Sequence, residues 1–273
     1  MAPVSVTEEE NVNGDGEEKR VEEVTEKPQV AKVGEEDAEK MSKDEKVVDV
    51  EEEIEEGGDH GVEEKKGGVE EEENVEMDVE PKTGVSFPVK LADGKQLMAL
   101  GVRRKKVIAL SINIYAFGVY ADNTKLKELL KTKFGKAPSE PTKELYETVI
   151  NSDIGMKVRL IIVFKALTMN MVRKNFNEGL GASLKKLKGG QKDDELVNKV
   201  MGAAKDSIKL SAGSVIEITR LPGYILQMKV KDEQISEVES ELLCRAYFDM
   251  YLGDDPFDKE AKEIFGKSLL NLF

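Results

Sequence analysis

The residue types that carry most enzyme chemistry are scarce in this chain, and those present are poorly spaced for it. The one histidine is His60 and the one cysteine is Cys244. From Thr83 onward there is therefore no imidazole for a Ser-His-Asp triad, a Cys-His dyad, a histidine general base or a zinc site. Gly179-Leu180-Gly181 begins like a dinucleotide fingerprint, but Leu184 stands where the third glycine belongs. The run also lies inside a helical pattern instead of following a strand, which argues against a phosphate site. Asp254, Asp255 and Asp258 resemble a fragment of a calcium loop, but Pro256 interrupts it and they fit helix capping better. Arg103-Arg104-Lys105-Lys106 is cationic but has no interleaved aromatic residue, so it reads as a solvated turn and no nucleic-acid partner is expected. Neither a metal nor a cofactor is implied.

Charge divides the chain near residue 82. Residues 1–82 hold 31 acidic and 10 basic residues, and all 15 aromatic residues of the 273 lie beyond them, from Phe87 on. A segment without aromatics and with a net charge of −21 cannot bury enough apolar surface to offset its chain entropy. We therefore expect a disordered acidic tail at 1–82 that acts as a spacer, with weak contacts to basic protein partners as the alternative. Residues 83–273 should form one domain of net charge +7, long enough for a substantial core. The longest uncharged run, Val107–Ala121, has 15 residues, too few for a transmembrane helix. The lone cysteine fits a reducing compartment, and the acidic start resembles neither a signal nor a transit peptide.

The elements that would position a site follow from periodicity. Val107–Tyr120 is the clearest strand, with Ile108, Leu110, Ile112 and Ile114 on one face and Ser111, Asn113, Tyr115 and Phe117 on the other. The first face is expected to meet a dry core, the second a partly polar compartment. Val85–Leu91, Leu97–Arg103, Met156–Lys165, Ser214–Arg220 and Tyr224–Val230 also read as strands. Helices are expected from Asn123 or Thr124, over Pro141–Asn151, from Thr168 to Leu187 and from Asp193 to Ile208. Two more are expected at Ser236–Leu252 and Pro256–Leu272. Strands joined by tight turns argue for an antiparallel sheet with helices packed on one face, an α+β domain.

Several stretches resemble the plant chalcone isomerase fold. They are Ala99-Leu-Gly-Val-Arg103, Ile112-Asn-Ile-Tyr115-Ala-Phe-Gly-Val-Tyr120, Val172-Arg173-Lys174 and Phe248-Asp249-Met250-Tyr251-Leu252-Gly253. In order and spacing they span essentially all of Thr83–Phe273, and they imply an open-faced sandwich. Carried over position by position, the family's catalytic arginine is kept as Arg103. Its threonine becomes Tyr115, its helix tyrosine Met171, its asparagine Glu178 and its late Ser/Thr Met250. Thioethers cannot replace a polar network that stabilises developing charge. The resemblance is thus nearest to the non-catalytic fatty-acid-binding members, with chalcone–flavanone isomerase or a flavonoid-pathway helper as alternatives.

That resemblance implies a free fatty acid as ligand, its carboxylate held by Arg103 and Tyr115. The acyl chain would run in an apolar tunnel lined by Met171, Phe176, Ser183 and Met250. It implies the plastid stroma as compartment and fatty-acid metabolism as setting, against a cytoplasmic reading from the acidic start. Two blander readings stay open at this point. Tyr115 could be a core phenol with a backbone partner, and Arg103 could pair with an internal carboxylate.

Overall fold

The structure, a computed structural model, describes residues 75–107, 110–201 and 204–273. The expectations placed on the acidic segment up to residue 74, on His60, on Ile108 and on Ala203 lie outside these residues. Strand β1 (Met77–Glu80) pairs antiparallel with β2 (Val85–Pro88). Among the described residues the first strand thus starts at Met77, ahead of the composition break at residue 82.

Six strands form the main sheet in simple sequence order, every neighbour antiparallel: β3 (Gln96–Val107), β4 (Leu110–Ala121), β5 (Met156–Ile162), β6 (Val215–Leu221), β7 (Ile225–Val230) and β8 (Glu233–Glu239). The helices are α1 (Asn123–Phe134), α2 (Lys143–Asn151), α3 (Met169–Leu187), α4 (Asp194–Met201), α5 (Glu241–Leu252) and α6 (Lys259–Leu270). The antiparallel sheet with helices is the expected α+β architecture. Side-chain oxygens of Asp122, Thr142, Thr168, Ser240 and Asp258 accept from backbone N–H groups in the first turns of α1, α2, α3, α5 and α6. Asp258 therefore caps a helix, as its neighbourhood suggested, whereas the cap of α1 is Asp122 and not Asn123 or Thr124.

Several boundaries differ from the periodicity reading: the run Arg103-Arg104-Lys105-Lys106, expected as a solvated turn, lies inside β3, and Val107 ends that strand instead of opening β4, which starts at Leu110. Ser236 belongs to a strand, β8, and the helix begins only after Ser240. The cause is a two-residue turn at Lys231-Asp232, both at positive φ (50° and 67°), between the paired Val230 and Glu233. Such a turn matches the right-handed twist of a hairpin, but without Asn-Gly or Asp-Gly it leaves no sequence signal. Helix α4 stops at Met201 rather than running to Ile208. There Arg173 of α3 reaches Asp206 at 2.7 Å and the Ala204 carbonyl, holding the following segment in an irregular path.

Strand β5 shows how the sheet divides its two faces. Met156, Val158, Leu160 and Ile162 are buried against the helices, alternating with half-buried residues. On the opposite face Lys157 and Arg159 both reach Glu217 of β6, at 3.0 and 2.6 Å.

One charge is buried completely. Arg220 is 0% exposed, and its guanidinium donates to the carbonyls of Ile154, Ile150 and Val149, to Ser152 Oγ and to Met156 Sδ. Two of those carbonyls end α2, so Arg220 serves as its C-terminal cap. Burial pulls its pKa down to about 10, which leaves it charged at neutral pH. Replacing it by Met strands several buried carbonyls, and the expected loss is about 3–5 kcal/mol of unfolding free energy. A urea titration checks this; a loss under about 1 kcal/mol would remove the capping role.

Candidate functional site

A cavity opens where the sheet, α3, α5 and the α5–α6 connection converge. Its polar wall is Arg103, Lys105, Tyr115, Asn175 and Tyr251. Its apolar wall includes Ile114, Leu160, Ile162, Leu167, Val172, Phe176, Ile216, Met250 and Phe257. The interior holds about 60 Å³, room for roughly four to six waters at ~10–15 Å³ each. With its mouth included, the atom-free space is about 650 Å³.

The geometry depends on a bulge. Arg103 is paired with Tyr115, but the next residue, Arg104, is paired with Asn113, so Ile114 has no partner across the ladder. Its carbonyl turns instead to the chain leaving β5, accepting from Val163 N at 3.0 Å and Phe164 N at 3.1 Å. A bulge of this kind reverses the in–out alternation. The consecutive residues Ile114 and Tyr115 consequently both line the cavity. Leu110 and Ile112 join the face of Tyr115 and Phe117 instead of opposing it, which corrects the two-sided reading of this strand. The true opposite face carries Ala116, Gly118 and Tyr120, packed under the β1–β2 hairpin. Tyr120 is fully buried there and donates its hydroxyl to the Pro88 carbonyl at 2.9 Å, away from the cavity.

Arg103 lies flat over the Phe257 ring, its Cζ 3.7 Å from the centroid. Among the described residues no carboxylate pairs with it. A guanidinium on a ring gains cation–π attraction and keeps its in-plane N–H donors free. Beside it, the Tyr115 phenol is pushed well above its ordinary value, first by burial and then by Tyr251, with Arg103 pulling the other way. Tyr251 and Tyr247 are raised in the same manner, burial leading, and Tyr247 donates to the Tyr251 hydroxyl at 3.4 Å. All three phenols are neutral at physiological pH and joined to one another: Tyr247 and Tyr115 each share a hydrogen bond with Tyr251. Lys105 Nζ donates to Asn175 Oδ1 at 3.1 Å, and Asn175 Nδ2 to the Met171 carbonyl at 2.7 Å.

Four of the six residues singled out from the sequence meet here: Arg103, Tyr115, Phe176 and Met250. Two do not. Ser183 lies two turns further along α3 than Phe176 and donates to Asp249 Oδ2 at 3.0 Å, which spends its hydroxyl on α5. Met171 is outside the lining, and its helix neighbour Val172 takes the place, one residue along the turn. Residues the sequence reading missed are Lys105, Asn175, Tyr251 and Phe257. Asn175 stands three residues after Val172, so same-face helical spacing could have nominated it, whereas Tyr251, about 100° round the helix from Met250, carried no such signal. Phe257 sits in a connection after Pro256, where no periodicity operates.

Similarity to known proteins agrees with this geometry. The chain matches the family described as chalcone isomerase-like over residues 84–265. It is 54% identical over 202 residues to chalcone isomerase-like protein 1 of Humulus lupulus, covering 73% of this chain and 94% of the relative. It is 39% identical over 191 residues to fatty-acid-binding protein 1 of Arabidopsis thaliana, covering 68% of each. A solved crystal structure of an Arabidopsis thaliana fatty-acid binding protein superposes with a TM-score of 0.69 at 37% identity, covering 72% of this chain and 98% of that one.

The buried phenols set an alkaline limit. Their folded values lie above the ordinary value near 10, so their contribution is complete below it and is lost as pH rises through it. Unfolding free energy should therefore fall more steeply above about pH 10 for the wild type than for Tyr247→Phe. Parallel curves for the two proteins would show that this phenol is not linked to folding.

Proposed function

The chain belongs to the chalcone isomerase-like family, and we propose that it binds a free fatty acid without catalysis. The carboxylate meets Arg103 and Tyr115, and the acyl chain runs between the sheet and α3. The observation that carries this reading is an arginine at an apolar cavity wall with no carboxylate partner among the described residues, its donors left open by stacking on Phe257. Two N–H donors and a neutral phenol suit a carboxylate. The fatty-acid-binding proteins among the relatives point the same way.

Size and flexibility decide how the ligand enters. About 60 Å³ does not hold an acyl chain of ten or more carbons, so binding has to move side chains at the wall. Met250 is unbranched and deformable, and Phe257 belongs to a connection and not to a helix. Ten methylenes contribute about 8 kcal/mol at ~0.8 kcal/mol each, before association costs of several kcal/mol. The acyl chain therefore supplies most of the affinity, while Arg103 and Tyr115 set which end enters.

One observation favours a second reading. The rings of Tyr115, Phe176, Tyr251 and Phe257 line the same cavity, which suits a planar aromatic such as a flavonoid, held but not converted. The acidic residues ahead of β1 serve in either case as a spacer before the binding domain. The plastid stroma is our proposed compartment, on family resemblance. Among the described residues no helix is long and apolar enough to cross a membrane.

Native mass spectrometry of the purified protein separates the readings: copurified fatty acid supports the first, and a flavonoid the second. In titrations, Arg103→Gln should weaken a free fatty acid by about ten- to a hundredfold while leaving its methyl ester unchanged. Equal wild-type affinity for acid and ester would sink the carboxylate role. Enzyme-dependent, saturable loss of chalcone absorbance would overturn the non-catalytic assignment.

A further inference from the structure

The β3–β4 ladder runs past the rest of the sheet. Strand β5 pairs with β4 only from Tyr115 to Ala121, so Arg104–Val107 and Leu110–Asn113 form a two-stranded projection beside the cavity mouth. Leu110 near its tip is 72% exposed, the most exposed large apolar residue among those described. Ile112 and Ile114 follow it inward at intermediate burial, and Ile114 is part of the cavity wall. Because the bulge puts Leu110 and Ile112 on the cavity's face, an apolar path leads from the tip to the interior. The opposite face of the projection presents Arg104 and Lys106, both exposed and, among the described residues, without an ion-pair partner.

We propose that this projection docks the protein on an anionic lipid bilayer, with Leu110 in the acyl boundary and Arg104 and Lys106 at headgroup depth. The spacing supports it. The Arg104–Asn113 pair lies three residues behind Leu110, roughly 10 Å at ~3.4 Å per residue. Interfacial segments sink ~5–10 Å, which leaves Arg104 level with the phosphates, while Lys106, paired with Ser111 one residue behind Leu110, reaches that level through its long side chain. An exposed leucine ahead of two exposed cations matches a boundary that is apolar below and anionic above. The acidic segment opposes approach, but at about 0.1 M salt its field is screened beyond ~10 Å. The purpose of docking rests on the fatty-acid reading, since the apolar path would pass an acyl chain between bilayer and cavity. The docking itself does not depend on it.

Flotation of the full chain with phosphatidylcholine vesicles, with and without about 30% phosphatidylserine, tests this at about 0.1 M salt. Binding is expected only with the anionic lipid. Arg104→Glu and Lys106→Glu should each weaken it at least about fivefold. Leu110→Asp should weaken it by a similar factor, with thermal midpoint and fatty-acid affinity unchanged in all three. Arg103→Gln should do the reverse, losing ligand and keeping vesicles, so failure of either proposal is read separately. Absence of vesicle binding, equal binding to both lipids, or binding indifferent to Leu110→Asp would overturn the docking site. So would tighter binding to duplex DNA that survives Leu110→Asp, since that marks a polyanion site, and so would capture by a protein partner in place of vesicles.

Discussion

One of two unpaired residues in the β3–β4 ladder, Ile114, decides which side chains of β4 face the helices. Without it, strict alternation would put Ile112 and Ile114 on the side away from Tyr115. With it, the carbonyl of Ile114 bonds to Val163 and Phe164, and the strand turns over at that point. Arg103 and Tyr115 remain directly paired on the inner side of the shift. On β4 everything beyond it, from Asn113 to Leu110, is reversed relative to a regular strand, while β3 keeps its alternation. The cavity wall and the exposed projection are thus two results of one irregularity, and bulges at such places re-aim side chains.

The helical side of the cavity depends on close approach. A Cβ on Gly179 of α3 would stand 3.1 Å from Met250 Sδ and 3.2 Å from Phe257 Cζ. That glycine, which resembled half a dinucleotide fingerprint, is there so that α3 can press against α5 and the connection after it. On the sheet, a Cβ on Gly101 would lie 2.6 Å from Ala261 Cβ of α6, so a small residue on each side brings α6 down onto β3. Asp258, which caps α6, also accepts from Val102 N at 3.1 Å. Helix α6 is thereby tied to the strand that carries Arg103, and Phe257 immediately precedes the cap. The platform under the guanidinium is therefore held by a helix terminus, while its ring stays in a connection.

Much of this was legible in the sequence wherever a strict period and a polar cap coincide. Strand β5 alternates without a break, and Thr142 and Thr168 cap helices whose apolar stripes follow at once. An antiparallel sheet with helices was implied by the tight turns between neighbouring strands. What was not legible shares one physical cause: a local backbone choice with no side-chain signature. Lys231 and Asp232 adopt positive φ without glycine or asparagine, so β8 was read as helix. The bulge at Ile114 carries no glycine or proline, so the two faces of β4 were read as if regular. On α3, positions one residue apart differ by about 100°, enough to send Met171 outside the lining that Val172 joins and to exchange Ser183 for a contact with Asp249.

Two arginines of this domain separate structural from functional charge. Arg220 has no exposure and five acceptors, three of them main-chain carbonyls around the end of α2. All three of its nitrogens donate to protein acceptors, and a buried guanidinium tied up in this way serves the fold. Arg103 is half-buried, stacked on one ring and without a carboxylate among the described residues. Burying part of a charge without an anion is tolerable when a ring face offsets some of the lost hydration and the donor edge still meets solvent. Such an arrangement holds the cation in one orientation while leaving its hydrogen-bonding capacity unused. An incoming carboxylate then finds a donor pair already oriented, so little ordering entropy opposes the contact. The neutral Tyr115 beside it adds a donor without adding a competing charge. An arginine held by a ring instead of an acid is therefore open to an anion that the described residues do not supply.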